Sequence, residues 1–274
     1  MLPWVFSASD PVRHWVMETR ELGRTGLRVP VIGMGTWQTF DTREDRTRIV
    51  DEALAAGMNL FDSSPMYGRA EDNLAKALHG RRAQAMIATK IWTGSASEGR
   101  AQAAHALQLF GRVEIYQLHN LVAWQTQLRM LEELKGEGKV VVLGATHYLP
   151  SLFAELCDVM QTGRIDMIQL PYNPRLRDAE RRVLPLAAEL GLGVLIHSPL
   201  RFGVLDRRPN PRVLKEFGVE TVAQAVLKWI ASDPRVSCVL TATKTPGRPT
   251  ENAAAGQPPW LDPDQRERLA SLLA

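Results

Sequence analysis

Met58-Asn59-Leu60-Phe61-Asp62-Ser63-Ser64-Pro65-Met66-Tyr67-Gly68 is a short apolar run that closes on a carboxylate and turns at once into a polar loop. Two runs downstream end in the same way. Met86-Ile87-Ala88-Thr89 closes on Lys90, and Val113-Glu114-Ile115-Tyr116-Gln117-Leu118 closes on His119. Each run has the length of a strand, and each is followed by a segment with apolar residues at helical spacing. Polar, titratable groups at the C-terminal ends of successive parallel strands are how a β/α barrel assembles a reactive site.

Outward from these three runs the alternation continues along the chain. Strand-like runs fall at 31–35, 58–62, 86–90, 113–118, 140–144, 167–170, 194–197 and 238–240. Helix-like stretches lie between them at 42–56, 70–79, 98–109, 123–137, 151–161, 178–190 and 221–232, with a last pair at 248–255 and 263–273. Thr42 with Asp45 has the form of a capping box, and Gly57 stops the helix it would open. Trp124, Leu128, Leu131 and Leu134 share one helical face. Eight β/α units in a row predict a parallel sheet with helices outside, and its closed form is the (β/α)8 or TIM barrel, here as one domain over 19–274. An open doubly wound sheet fits less well, because no G-x-G-x-x-G joins a strand to a helix. Pro-rich stretches at 207–211 and 246–263 read as connections between units. Residues 1–18 read as an extension ahead of the barrel, apolar at first but without the basic start of a signal peptide.

Composition narrows the classes. The chain has 274 residues, 45% hydrophobic and 23% charged, with a formal net charge of +3. That suits one buried core and leaves no basic run of the kind that grips nucleic acid. Cys157 and Cys238 lie far apart without metal or redox spacing, so both read as small buried hydrophobes and the expected setting is cytoplasmic. No stretch approaches a membrane span.

Asp62, Tyr67, Lys90 and His119 make a proton-transfer set. A free tyrosine has a pKa of about 10, and a nearby ammonium favours its ionised form. Lys90 is therefore expected to draw the Tyr67 pKa down, Asp62 to hold Lys90 charged, and His119 to position the oxygen that takes the proton. Singly, each residue has a plainer reading: a helix cap, a surface anchor, a solvated lysine, a core histidine. Jointly these weaken, because three consecutive strands end in complementary groups on one barrel face.

The same residues carry a resemblance. Phe61 to Gly68, Ala88-Thr89-Lys90-Ile91-Trp92 and Tyr116-Gln117-Leu118-His119-Asn120 resemble the motifs of the aldo-keto reductase family. So do Leu22-Gly23-Arg24-Thr25-Gly26-Leu27, Gly33-Met34-Gly35-Thr36-Trp37 and Ile168-Gln169-Leu170-Pro171-Tyr172-Asn173, all in the family's order. The resemblance implies NADPH-linked reduction of aldehydes or ketones, with the cofactor laid across the barrel mouth. It implies Asp62, Tyr67, Lys90 and His119 as the catalytic tetrad. Gly35, Thr36 and Trp37 would meet the nicotinamide end, Gln169 its carboxamide, and Trp37, Trp92 and His119 the substrate. Thr146-His147 stands where Ser-Asn is common, and His197, ahead of Ser198 and Leu200, stands at the aromatic that stacks on the nicotinamide. Thr243, Lys244, Arg248, Glu251 and Asn252 match the adenosine end, where Arg248 or Lys244 would hold the 2′-phosphate.

His147 and His197 also suggest pH sensitivity near neutrality. Two rival functions share this sequence: a non-catalytic NADPH-sensing protein on the same fold, and a metal-dependent hydrolase using His119, His147 and His197. The tetrad ranks a reductase of small aldehydes or ketones first, with no metal, nucleic acid or membrane partner; the assembly state stays open.

Overall fold

The structure, a computed structural model, describes residues 17–274. An antiparallel hairpin comes first, β1 (Thr19–Glu21) and β2 (Arg28–Pro30). Then strands and helices alternate: β3 (Ile32–Gly35), α1 (Thr47–Ala55), β4 (Leu60–Asp62), α2 (Ala70–Ala77), β5 (Met86–Ile91), α3 (Ala96–Phe110), β6 (Val113–His119) and α4 (Trp124–Gly136). The second half holds β7 (Val140–Thr146), α5 (Phe153–Gln161), β8 (Met167–Pro171), α6 (Val183–Leu190), β9 (Gly193–His197), α7 (Pro211–Glu216), α8 (Val222–Ala231) and β10 (Cys238–Thr241). The chain closes with α9 (Arg248–Ala253) and α10 (Pro263–Leu273). Strands β3 to β10 are parallel, each pairs with the next, and β10 returns to β3. The expected TIM barrel is the observed fold.

The side-chain period of two explains how the barrel carries a site. Phe61, Ile87, Tyr116, Leu143, Ile168, Ile196 and Val239 point outward and pack under the helices. Their neighbours Leu60, Ala88, Ile115, Val142, Met167, Leu195 and Cys238 point inward and fill the lumen. Two residues further along each strand, the lumen face presents Asp62, Lys90, Gln117, Gln169 and His197. An apolar layer thus supports a polar one. A Cβ on Gly144 would collide with Met167 Sδ, so the absence of a side chain there lets β7 meet that layer.

The hairpin closes the other end. Leu22, fully buried at its turn, joins the lumen cluster and sits where a Cβ on Gly193 would stand. Arg20 ties the hairpin to the barrel by donating to the carbonyls of Ala231 and Val236 at 2.7 and 2.9 Å.

Two expectations change. The helix expected from Thr42 begins at Thr47, and Thr42 with Asp45 forms no capping box. Asn73 Nδ2 donates to the carbonyls of Phe40 and Thr42, and Arg46 Nε to that of Thr39, which hold this stretch as a loop. Asp45 instead accepts from Thr47 N at 2.9 Å. The stretch at 207–211 runs into the short α7, capped by Asn210. Met17 and Glu18, read as the end of the extension, pack against the barrel: Met17 is buried, and Glu18 accepts from Trp260 Nε1 at 2.9 Å. The rest of the expected extension, 1–16, lies outside the described residues.

Candidate active site

Asp62 ends β4 and Lys90 lies one residue before the end of β5, both on the lumen face. Lys90 Nζ donates to Asp62 Oδ1 at 2.7 Å and to the Ser63 carbonyl at 2.7 Å. The other Asp62 oxygen accepts from Gln117 Nε2 at 3.2 Å and Gln169 Nε2 at 3.1 Å. A buried carboxylate so surrounded stays fixed, and it aims the ammonium at Tyr67. Tyr67 rides a single 3-10 turn, Pro65–Tyr67, capped by Ser64, whose Oγ accepts from Met66 N. The Lys90 ammonium stands 5.1 Å from the Tyr67 ring centre. The His119 ring meets Tyr67 edge-on at 5.8 Å and 88°.

The electrostatics correct one expectation. Burial, reinforced by Asp62, outweighs the Lys90 charge and raises the Tyr67 pKa above its ordinary value. The phenol is therefore a firmly protonated donor rather than a group poised near neutrality. Burial also opposes the Lys90 charge, but Asp62 and Tyr67 prevail and its pKa is raised. His119 is pushed down to about 2 by burial and then by Lys90, so it is a neutral imidazole.

These groups share the mouth of a cleft of about 950 Å³. Gly35, Trp37, Trp92, Thr146, Gln169, His197, Ser198 and Leu200 line it near the tetrad, and Thr243 with Lys244 line its far end. Gln102 clamps Trp92 from both sides, accepting from its N–H at 2.9 Å and donating to its carbonyl at 3.2 Å. Met66, Trp92 and Tyr148 are the cleft's exposed large apolar side chains.

Other expected residues stand elsewhere. Thr36 is fully buried, its hydroxyl engaged with the Asp62 carbonyl at 3.0 Å and Ser63 Oγ at 2.9 Å. His147 is buried behind the cleft wall, where its Nδ1 accepts from Leu149 N at 3.1 Å and its ring stacks on Tyr148. Arg248 and Glu251 form an exposed ion pair at 2.6 Å on α9, and Asn252 is buried beside them. Among the described residues no three His, Cys, Asp or Glu side chains converge where a metal ion could be held.

Sequence reading passed over Ser64, Gln117 and Arg201. The last stacks its guanidinium over Trp37 at 4.9 Å on the cleft wall. Ser64 and Gln117 carried a signal in hindsight, since both sit inside the quoted motifs. Arg201 carried none.

His119 and His197 do not titrate near neutrality, contrary to the expectation for 197. Burial and Lys90 push His197 down to about 3, and burial lowers His147. An unfolded chain binds protons at His119 and His197 from about pH 6.5 downward, whereas the folded chain does not until far lower. Stability is therefore full above pH 7 and falls as pH drops, by up to about 1.4 kcal/mol per pH unit for each such histidine. Urea midpoints should be flat from pH 7 to 8 and decline steeply from pH 6.5 to 4. A flat profile through pH 5 would contradict the burial of neutral His119.

A closed barrel with a buried Asp–Lys pair, a tyrosine and a neutral histidine at its mouth defines a class of β/α-barrel oxidoreductase. The family model for "Aldo/keto reductase family" matches residues 31–213, and the chain belongs to that family. It is 29% identical over 215 residues to an aldo-keto reductase of Mycobacterium sp. (strain JLS), covering 74% of this chain and 76% of that protein. It is also 29% identical over 232 residues to the NADH-specific methylglyoxal reductase of Escherichia coli (strain K12), covering 69% of each. An aldo-keto reductase from Bacillus halodurans in its holo form superposes with a TM-score of 0.80 at 24% identity, over 94% of this chain and 97% of that one. That likeness is one of fold. Among the described residues no helix is long and apolar enough to cross a membrane.

Proposed function

We propose that this protein reduces aldehydes or ketones to alcohols with NADPH, using Tyr67 as the acid. The observation that carries the reading is the buried Lys90–Asp62 pair directly behind a protonated Tyr67, with neutral His119 across from it. The dinucleotide, when bound, supplies hydride to the carbonyl carbon. Tyr67 gives its proton to the carbonyl oxygen as negative charge develops there. Lys90 stabilises the phenolate left behind, Asp62 keeps Lys90 charged and aimed, and His119 directs an N–H at the same oxygen. The open mouth suits small carbonyl compounds, and Met66, Trp92 and Tyr148 favour those with an apolar group. Two buried free thiols fit a cytoplasmic setting.

The cleft suits the dinucleotide. It runs from the tetrad to Thr243 and Lys244, and among the described residues neither Lys244 nor Arg201 is held in an ion pair. Thr146, Gln169 and His197 would hold the nicotinamide end, with Ser198 and Leu200 beside it. Gln169 has one Nε2 hydrogen engaged with Asp62, which leaves its carbonyl oxygen and its second N–H for a ligand. Lys244 would meet the 2′-phosphate, and Arg248 would join it by leaving Glu251.

Two measurements test this. NADPH mixed with the protein and a panel that includes 4-nitrobenzaldehyde and methylglyoxal should lose its reduced-nicotinamide absorbance. Saturable NADPH binding without oxidation would favour a non-catalytic dinucleotide-binding role. Fluorescence titration should give a Kd for NADPH at least about tenfold below that for NADH, consistent with about 1.4 kcal/mol from a charge-assisted phosphate contact. Lys244→Ala should narrow the gap. Equal or tighter NADH binding would overturn the preference.

A further inference from the structure

A neutral imidazole carries one N–H, and the partner of one ring nitrogen decides where it sits. His119 must present its N–H to the substrate oxygen, so the partner of its other nitrogen matters. That partner is Ser64. Its Oγ lies 2.9 Å from His119 Nδ1, with both side chains buried. The same Oγ already accepts the Met66 N–H at 3.2 Å. A hydroxyl has a single hydrogen to donate. For Ser64 the acceptor within reach is Nδ1, which leaves the N–H of the ring on Nε2. The reverse arrangement, with Nδ1–H donating to Ser64, strands the hydroxyl hydrogen in a buried site. It also turns a lone pair on Nε2 toward the oxygen that gains charge.

We propose that Ser64 is a positioning residue: by donating to His119 Nδ1 it fixes the Nε2–H tautomer and makes the histidine a hydrogen-bond donor to the carbonyl oxygen. This deepens the carbonyl-reduction reading and rests on it for its catalytic meaning. One oxygen then sets both groups that face the substrate. As cap of the turn 65–67 Ser64 places Tyr67, and as donor it sets which atom His119 offers. The histidine needs no proton from solvent to do this, which suits a ring that stays neutral across the working range.

The test uses the full chain labelled with ¹⁵N-histidine, with the His119 signals assigned by their loss in His119→Gln. Long-range proton–nitrogen correlation should show the protonated nitrogen of His119 to be Nε2. Ser64→Asp, when ionised, still accepts from Met66 N but cannot donate. It should move the proton to Nδ1 and lower kcat by about 10²–10³-fold, the loss expected when one oxyanion donor is removed. Ser64→Ala should give mixed tautomers, with kcat down about tenfold, a fraction of that loss, and little change in KM. Ser64→Thr keeps the hydroxyl and should recover both the signature and turnover to within a few-fold.

An Nδ1–H tautomer in the unaltered protein would overturn the proposal. So would a Ser64→Ala variant that loses turnover while keeping the Nε2–H signature, since Ser64 would then act only as a cap. The tautomer is read without turnover. A protein that reduces no carbonyl would therefore fail the functional reading while the Ser64 assignment is still decided.

Discussion

Tyr67→Phe is expected to lower kcat for carbonyl reduction by about 10²–10⁴-fold, the range a positioned general acid supplies. The ring stays, so its packing against Trp37 at 6.5 Å and its edge contact with His119 stay too. What goes is the hydroxyl, whose proton burial holds in place. His119 cannot take over, because a neutral imidazole with its pKa near 2 is a far poorer source of a proton at pH 7 than of a hydrogen bond. NADPH affinity should remain within about twofold, since the phenol is asked to act on developing charge rather than on binding. Single-turnover measurements separate the two. Full turnover in the variant would refute the role given to Tyr67.

Lys90→Met should cost both activity and stability. Lys90 is 1% exposed and Asp62 4%. Removing the ammonium leaves a buried carboxylate with only two amide donors, Gln117 and Gln169. Breaking one side of such a pair destabilises by about 3–5 kcal/mol. The double variant Asp62→Asn, Lys90→Met removes the stranded charge and should regain much of that stability without regaining turnover. Urea unfolding of the four proteins in the cycle measures the first effect, and kcat the second. If the single and double variants unfold alike, the pair is not the buried charge couple described above.

The barrel was legible because eight apolar runs recur with helical stretches between them, and the tetrad because Asp62, Lys90 and His119 close or nearly close three successive runs, with Tyr67 in the loop just after the first. Neighbour identity was harder. The donors that complete Asp62 come from β6 and β8, 55 and 107 residues away along the chain. Nothing in local sequence pairs them with Asp62. The direction of the Tyr67 shift depended on how dry its surroundings are, a property of packing and not of the Lys90 spacing. Thr36 read as a site residue because it sits between Gly35 and Trp37, yet strand alternation turns it away from the cleft. The hairpin over 19–30 escaped notice because its strands are only three residues each. The missed start of α1 has another cause, since Asn73 acts on the loop from α2, through the carbonyls of Phe40 and Thr42.

The hairpin makes the barrel a cup rather than a tube. Leu22 and the apolar layer above it stopper the floor, so the cleft opens at the opposite end, where Trp92 and Tyr148 stand on its rim. With the floor shut, a molecule lodged on that rim would lie over the nicotinamide end of whatever is bound deeper. Release of NADPH, followed by its fluorescence, should therefore slow when an unreactive aromatic analogue is added. An unchanged release rate would point to a second way out.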